Sequence, residues 1–373
     1  MIPMLARAGV RFLQVARGGQ EVGEGYDVLA DSFAPTRLIR RGAWHLGREL
    51  EQALTVPQVA SGRRECSYRA KGEVLDAAIA DELAAGRIAA GYRHAIGFSA
   101  DEPERVERDS SYTTNAREPL YPLVEWNWDR DRCDLYLHEL FSDDDDPDFW
   151  WPRSCCQFCC YQSSTNGRVA LALRWRSEPQ AAVTSLRLES RAMALHPGQK
   201  LFGSYSAAQF VRDYGLTDIV EHAAAGDRDG EQCWTVVEVR RVYRPASVRD
   251  PVTGKSLRGR DGRTVKDPTT KGRAWRSIRP HTVTGTRAEA VEALQQLARE
   301  YDTTVWTRSG GAPRLEIRVL PKKVREWPVT THEFAVVPGL VAAKQRRGFD
   351  KEYDDARRRE ARRGGENLLP LAM

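Results

Sequence analysis

Long hydrophobic runs are missing from this chain. No stretch approaches the roughly 20 apolar residues of a helical membrane span, and the first residues lack the apolar core and cleavage site of a signal peptide. No membrane partner is expected, and the cytoplasm is the expected compartment. Lysine is scarce, with 9 against 48 arginines, a bias that fits a GC-rich bacterial genome better than a function. Charge of one sign is also lacking: the net +5 is spread over 373 residues and argues only weakly for nucleic acid. No internal repeat is evident. Cysteine is sparse, seven in all, and in a reducing compartment a disulfide framework is not expected. What is present is 41% apolar residues, with 10 Trp, 12 Tyr and 10 Phe, enough for the cores of two domains.

Four of the seven cysteines fall within six residues: Cys155, Cys156, Cys159 and Cys160. A CxxC turn lets two thiolates converge on one ion, so Cys156 with Cys159, or Cys155 with Cys160, could hold Zn²⁺ or part of an iron-sulfur cluster. Adjacent cysteines cannot all bind one centre. Buried thiols packed as small hydrophobes are the alternative reading.

Residues 1–215 alternate helix-like and strand-like segments, which predicts an α/β domain with a largely parallel sheet. Arg11 to Ala16 and Arg93 to Ser99 read as strands, and Val74, Leu75, Ala78, Ile79 and Leu83 recur at helical spacing. A further helix is expected to start at Asp129 as N-cap, with Cys133, Tyr136, Leu137 and Leu140 as its core stripe. The acidic run Asp143 to Asp146 reads as a solvated loop. Residues 216–373 predict a smaller α+β domain: a strand over Cys233 to Tyr243, a capping box at Thr286 and Glu289, and a hairpin about a Gly-Gly turn. Arg240 to Arg279 carries thirteen Lys or Arg against three Asp. That composition suits a basic loop or arm over 240–280, either solvated or set to neutralise DNA or RNA phosphates through Arg258, Arg260, Arg263, Lys266, Lys271 and Arg273. The Arg-rich tail Arg357 to Gly365 reads as a frayed helix end.

Phosphate chains need cations, which Lys71 and Arg105 could furnish. Asp101 and Glu102 follow a buried-looking strand, at the edge where open α/β sheets place ligands. They could hold Mg²⁺, orient a ribose, or cap the next helix.

Read in order, five segments resemble the phosphoadenosine phosphosulfate (PAPS) reductase branch of the PP-loop ATP pyrophosphatase superfamily, which also contains the sulfurtransferase of DNA phosphorothioation. They are Arg64-Glu-Cys66-Ser-Tyr-Arg-Ala-Lys71, Gly97-Phe-Ser-Ala-Asp101-Glu102-Pro-Glu-Arg105, Tyr121-Pro-Leu-Val-Glu-Trp126 with Trp128-Asp129, Ser154-Cys-Cys156-Gln-Phe-Cys159, and the positions Trp175, Pro179 and Glu189. The resemblance covers about residues 5–215. It implies an adenine nucleotide α-hydrolase-like parallel-sheet domain that binds ATP or a PAPS-like nucleotide with Mg²⁺ near Lys71, Asp101, Glu102 and Arg105. It further implies an iron-sulfur cluster or Zn²⁺ at Cys66, Cys156 and Cys159, with Cys155 or Cys160 as a fourth ligand. The activity implied is nucleotide-dependent sulfur transfer or adenylation, with nucleic acid as a target.

The chain departs from that pattern in two places. No Ser-Gly-Gly-x-Asp-Ser loop, the family's phosphate cradle, occurs in it. Met4 to Val15 resembles the helix and strand that come after that loop, so the domain reads as N-terminally truncated by one βα unit. A misassigned start, a partner chain supplying the loop, or a catalytically degenerate domain serving as a nucleic-acid or protein binding module would each account for this. The thioredoxin-dependent reductases' C-terminal Glu-Cys-Gly-x-His is also absent: the chain ends Asn-Leu-Leu-Pro-Leu-Ala-Met.

Overall fold

A computed structural model describes residues 2–19, 22–39, 41–57, 65–111, 116–142, 156–162, 165–225, 233–250, 256–259, 261–272, 274–307, 309, 311–324 and 326–364. Cys155, Arg260, Arg273 and the acidic run Asp143 to Asp146 lie outside them. In chain order the first elements are α1 Ile2–Arg7, β1 Phe12–Arg17, β2 Tyr26–Ser32, α2 Leu46–Gln52, α3 Glu65–Ser67, a π-helical turn Tyr68–Gly72, α4 Glu73–Ala84, β3 Tyr92–Ala95, α5 Pro103–Ser110, β4 Arg117–Leu120, α6 Pro122–Glu125 and α7 Arg130–Phe141. There follow α8 Thr165–Ser177, α9 Pro179–Leu195, α10 Ala207–Asp213, α11 Thr217–Ala225, β5 Trp234–Tyr243, β6 Pro245–Ser247, β7 Lys266–Lys271, β8 Trp275–Thr284, α12 Arg287–Glu300, β9 Val305–Thr307, β10 Pro313–Arg318, β11 Val329–Pro338 and α13 Phe349–Gly364. The protein is mixed α/β, with, among the described residues, one parallel strand pair and a separate five-stranded antiparallel sheet. Its compact units do not divide at residue 215: the first takes 1–46, 62–156 and 166–170, the second 47–61, 157–165 and 171–373.

In the first unit the expected strand near Arg11 is β1, but it pairs antiparallel with β2. The connection 18–25, which includes the 3-10 turn Val22–Glu24, is too short for a crossover, and Gly25, at φ 66°, turns the chain back on itself. The largely parallel sheet reduces, among the described residues, to β3 beside β4, aligned from Tyr92↔Arg117 to Ala95↔Leu120 and joined through α5 as a βαβ unit. Helix α4 packs on the hairpin, with Val74 and Ala78 buried. An ionic lattice fixes it there: Arg11 bridges Asp31 at 2.7 Å and Glu82 at 2.6 Å, and Arg87 reaches Glu82 at 2.9 Å. Asp129 caps α7 by accepting from Arg132 N at 2.8 Å, as the sequence predicts. The core stripe on α7 is not realised: Tyr136 and Leu140 are exposed and Cys133 is only half-buried, its thiol pushed up by that burial.

Hydrogen bonds from Arg87 and then Arg11 hold the Glu82 carboxyl at about 2, against an ordinary 4.5. A depressed carboxylate stabilises above its unfolded value and loses that contribution as pH falls. The melting-temperature gap between wild type and Arg11→Met is therefore expected to be full at pH 7, to shrink below 4.5 and to close near 2. A gap unchanged between pH 7 and 2.5 would refute this account of the lattice.

The second unit is built on a five-stranded antiparallel sheet, β8-β5-β11-β10-β9. Successive strand residues face opposite sides, and the packing follows that alternation. Val236, Phe334 and Val336 meet Ala290, Leu294 and Leu297 of α12, while Val242 meets Phe349, Tyr353 and Ala356 of α13. On the other face Val237, Val239, Ala335 and Val337 cluster with Leu54 and with Leu195 of α9. The predicted capping box closes on both sides, Thr286 Oγ1 accepting from Glu289 N at 3.2 Å and Glu289 accepting from Thr286 N at 3.0 Å. The predicted hairpin is β9 with β10.

Two expectations are corrected here. The basic stretch 240–280 is not a loop. It holds the end of β5, the pair β6–β7 and the start of β8, and isolated bridges Arg249↔Ser256 and Arg258↔Thr264 extend the pair into a ribbon. Paired backbone groups explain why so charged a stretch is ordered. Nor is Arg357 to Gly364 a frayed end: it continues α13, whose Phe349, Tyr353 and Ala356 lie one turn apart and are buried.

Candidate functional site

The carboxyl ends of β3 and β4 bring together two of the sequence segments singled out above. After β3 the chain bends through Ile96 to Glu102 and enters α5; after β4 it enters α6 and then α7. The two connections are laced by backbone bonds, Ile96 N to Leu120 O at 2.9 Å and Ala100 N to Trp128 O at 2.8 Å. Aromatic packing completes the floor. Phe98 stacks on Tyr121 with centroids 6.0 Å apart and planes 14° apart, and Arg105 lies 4.3 Å above the Phe98 ring. That guanidinium also meets Glu102 Oε1 at 2.5 Å, so two contacts fix its position while its side chain stays 53% exposed.

Ser99 organises the acidic side of this edge. It is 6% exposed, and its N–H and hydroxyl both donate to Glu102 Oε2, at 3.4 and 3.3 Å. The same Ser99 hydroxyl is shared with Asp101 and, with the backbone N–H groups of Asp101 and Arg130, holds that carboxyl below the usual carboxylate range. Asp101 is thus an anion at neutral pH. Asn127, at φ 53°, ends α6 in the left-handed conformation that asparagine tolerates. The reversal sets Trp126, 60% exposed, edge-on to Trp128 at 5.7 Å. Arg132 lies 5.4 Å from the Trp128 ring.

Of the four residues expected around a nucleotide, Asp101, Glu102 and Arg105 share one loop and helix start. Lys71 is exposed in the π-helical turn Tyr68–Gly72 that precedes α4. Phe98, Ser99, Tyr121, Trp126 and Trp128 were not expected as site residues. The density of aromatics over 121–128 was the signal for Tyr121, Trp126 and Trp128.

Cys66 is in α3; Cys156 and Cys159 are partly buried and Cys160 is 2% exposed. Cys66 and Cys156 belong to the first unit, Cys159 and Cys160 to the second. Among the described residues no three His, Cys, Asp or Glu side chains are gathered to hold a metal, so the described thiols by themselves do not fit a cluster or zinc site. Of the six basic residues expected to meet nucleic acid, Arg258, Arg263, Lys266 and Lys271 are described, all exposed on the β6–β7 ribbon.

Comparison with protein-family models, curated proteins and solved structures returns no match. No described helix is long and apolar enough to cross a membrane.

Proposed function

We propose that the first unit binds an adenine nucleotide, ATP or a PAPS-like molecule, at the carboxyl ends of β3 and β4, and that the protein uses it for adenylation or sulfur transfer in the manner of PAPS reductase-like PP-loop enzymes. One observation carries the reading. The segments Gly97 to Arg105 and Tyr121 to Asp129, apart in sequence, lie side by side where parallel strands end, the edge at which open α/β sheets bind ligands. Arg105, buttressed by Glu102 and Phe98, would face the phosphates and offset the charge that grows as pyrophosphate leaves. Asp101 would hold the accompanying Mg²⁺ or accept from a ribose hydroxyl, and Trp126 offers a face on which adenine stacks. No Ser-Gly-Gly-x-Asp-Ser segment lies among these residues, so the phosphate-cradling loop would come from a longer N-terminus or from a partner chain.

Calorimetric titration of the natively purified protein, together with any chain that accompanies it, is expected to show ATP or PAPS binding that Arg105→Ala weakens about tenfold, the order of one charge-assisted hydrogen bond. Absence of binding by both nucleotides would end this reading.

A second reading, a nucleic-acid-binding module, has its own observation: the basic stretch is an ordered ribbon. A two-stranded ribbon fits the DNA major groove, and here its Arg263 side chain is 89% exposed and only loosely held, 3.9 Å from Asp261. Duplex affinity is expected to fall linearly with log salt concentration, at a slope near 0.9 per phosphate contacted. Neutralising Arg258, Arg263, Lys266 and Lys271 with Gln should flatten that slope by about 3–4; an unaltered slope would exclude the ribbon as the contact.

A further inference from the structure

The second unit contains a cleft of about 460 Å³ at the end of its central strand, within the size range of small-molecule sites. It lies between α9, the first turn of α12 and the turn that leads into β10. Leu186, Met193, Trp234, Ala312, Pro313 and Pro338 make its walls apolar.

Two charged residues line it, and they are not equivalent. Glu189 is 3% exposed and its carboxylate is already occupied: Leu201 N donates at 2.6 Å, and Ala207 N lies 2.8 and 3.0 Å from its two oxygens. It therefore offers little to a ligand. Arg287 differs. It makes no ion pair or hydrogen bond among the described residues, and its guanidinium lies 5.9 Å from the Trp234 ring at the cleft. It is the first residue of α12, where helix polarity adds to its positive potential. Wall and charge together specify an apolar body with a single anionic group. A cation would find no free carboxylate, and a polyphosphate would find one cation and greasy walls.

We infer that this cleft is a binding site for a small amphipathic carboxylate, whose apolar part enters between Leu186, Met193 and Trp234 and whose carboxylate pairs with Arg287. The site is independent of the nucleotide reading, because the residues that line it all belong to the second unit.

The test uses the full chain and three matched probes, decanoate, decanol and decylamine, titrated by calorimetry. Decanoate is expected to bind saturably, at least tenfold more tightly than decanol, with decylamine weakest. Arg287→Gln should bring decanoate down to the affinity of decanol and leave decanol unchanged, the signature of one charge-assisted contact. Ala208→Trp, at an exposed position on the rim, should abolish binding of both while circular dichroism reports a folded protein. The inference is overturned if wild type shows no saturable decanoate binding, if decanol binds as well as decanoate, or if Ala208→Trp leaves decanoate affinity unaltered.

Discussion

Glu189→Ala is expected to destabilise the second unit by about 3–5 kcal/mol, a large share of a typical domain's stability. The side chain reaches from the middle of α9 to the two N–H groups of Leu201 and Ala207, and all three residues are at most 3% exposed. Ala207 opens α10, where helix N–H groups have no intrahelical partner. Ser206 Oγ satisfies Gln209 N at 3.0 Å, and Glu189 supplies the acceptor that the serine cannot. Alanine would leave two buried donors unpaired, at about 1–3 kcal/mol each, and a void beside them. Glu189→Gln keeps the volume and one acceptor but turns an NH₂ toward a donor, so it should fall between wild type and alanine. Urea unfolding decides: a midpoint shifted with unchanged m-value is expected, whereas Ser190→Ala, one position along and exposed, should leave the midpoint where it was. A Glu189→Ala midpoint matching that control would show that water replaces the carboxylate.

Short-range signals in the sequence held where local chemistry decides the structure. The N-cap at Asp129, the capping box at Thr286 and Glu289, the strand to Tyr243 and the β9–β10 hairpin all depend on residues within a few positions of each other. The central strand β11 was invisible because Val-Thr-Thr-His-Glu reads as polar and yet all ten of its residues are buried. Partners distant in sequence make this possible: Arg241 meets Glu333 at 2.6 Å, His332 meets Glu238 at 2.9 Å, and Thr330 donates to Glu360 at 2.6 Å. Burial of charge that depends on a partner some 90 residues away leaves no periodic trace.

The candidate site was legible in the same partial way. Asp101, Glu102 and Arg105 are contiguous, so their shared location followed from the loop alone. Their aromatic floor did not, because Phe98 meets Tyr121 only through the parallel pairing of β3 with β4. The basic stretch misled by composition: Gly, Pro and Arg suggest a loop, whereas cross-strand hydrogen bonds such as Val248 N to Val265 O at 3.0 Å make it a ribbon.

Trp175→Ala is the second substitution with a large expected effect, about 3–5 kcal/mol. The indole is fully buried and packs edge-on against Phe210 at 4.9 Å, next to Phe202 at 6.4 Å. Its Nε1 donates to Gln157 O at 2.9 Å, so the indole ties helix α8 to the cysteine-rich turn. Trp175→Phe separates the two roles. It keeps most of the packing and removes the donor to the part-buried Gln157 carbonyl, a loss of about 0.5–1.5 kcal/mol. Thiol chemistry gives the local readout. Cys160, 2% exposed in that turn, should be protected from alkylation in the wild type and react faster in both variants, with alanine the faster. If the phenylalanine variant releases Cys160 as fully as alanine does, the hydrogen bond to Gln157 is what holds the turn. Protection that survives in both would mean that Phe158, itself 7% exposed, anchors the cysteines without help from the indole.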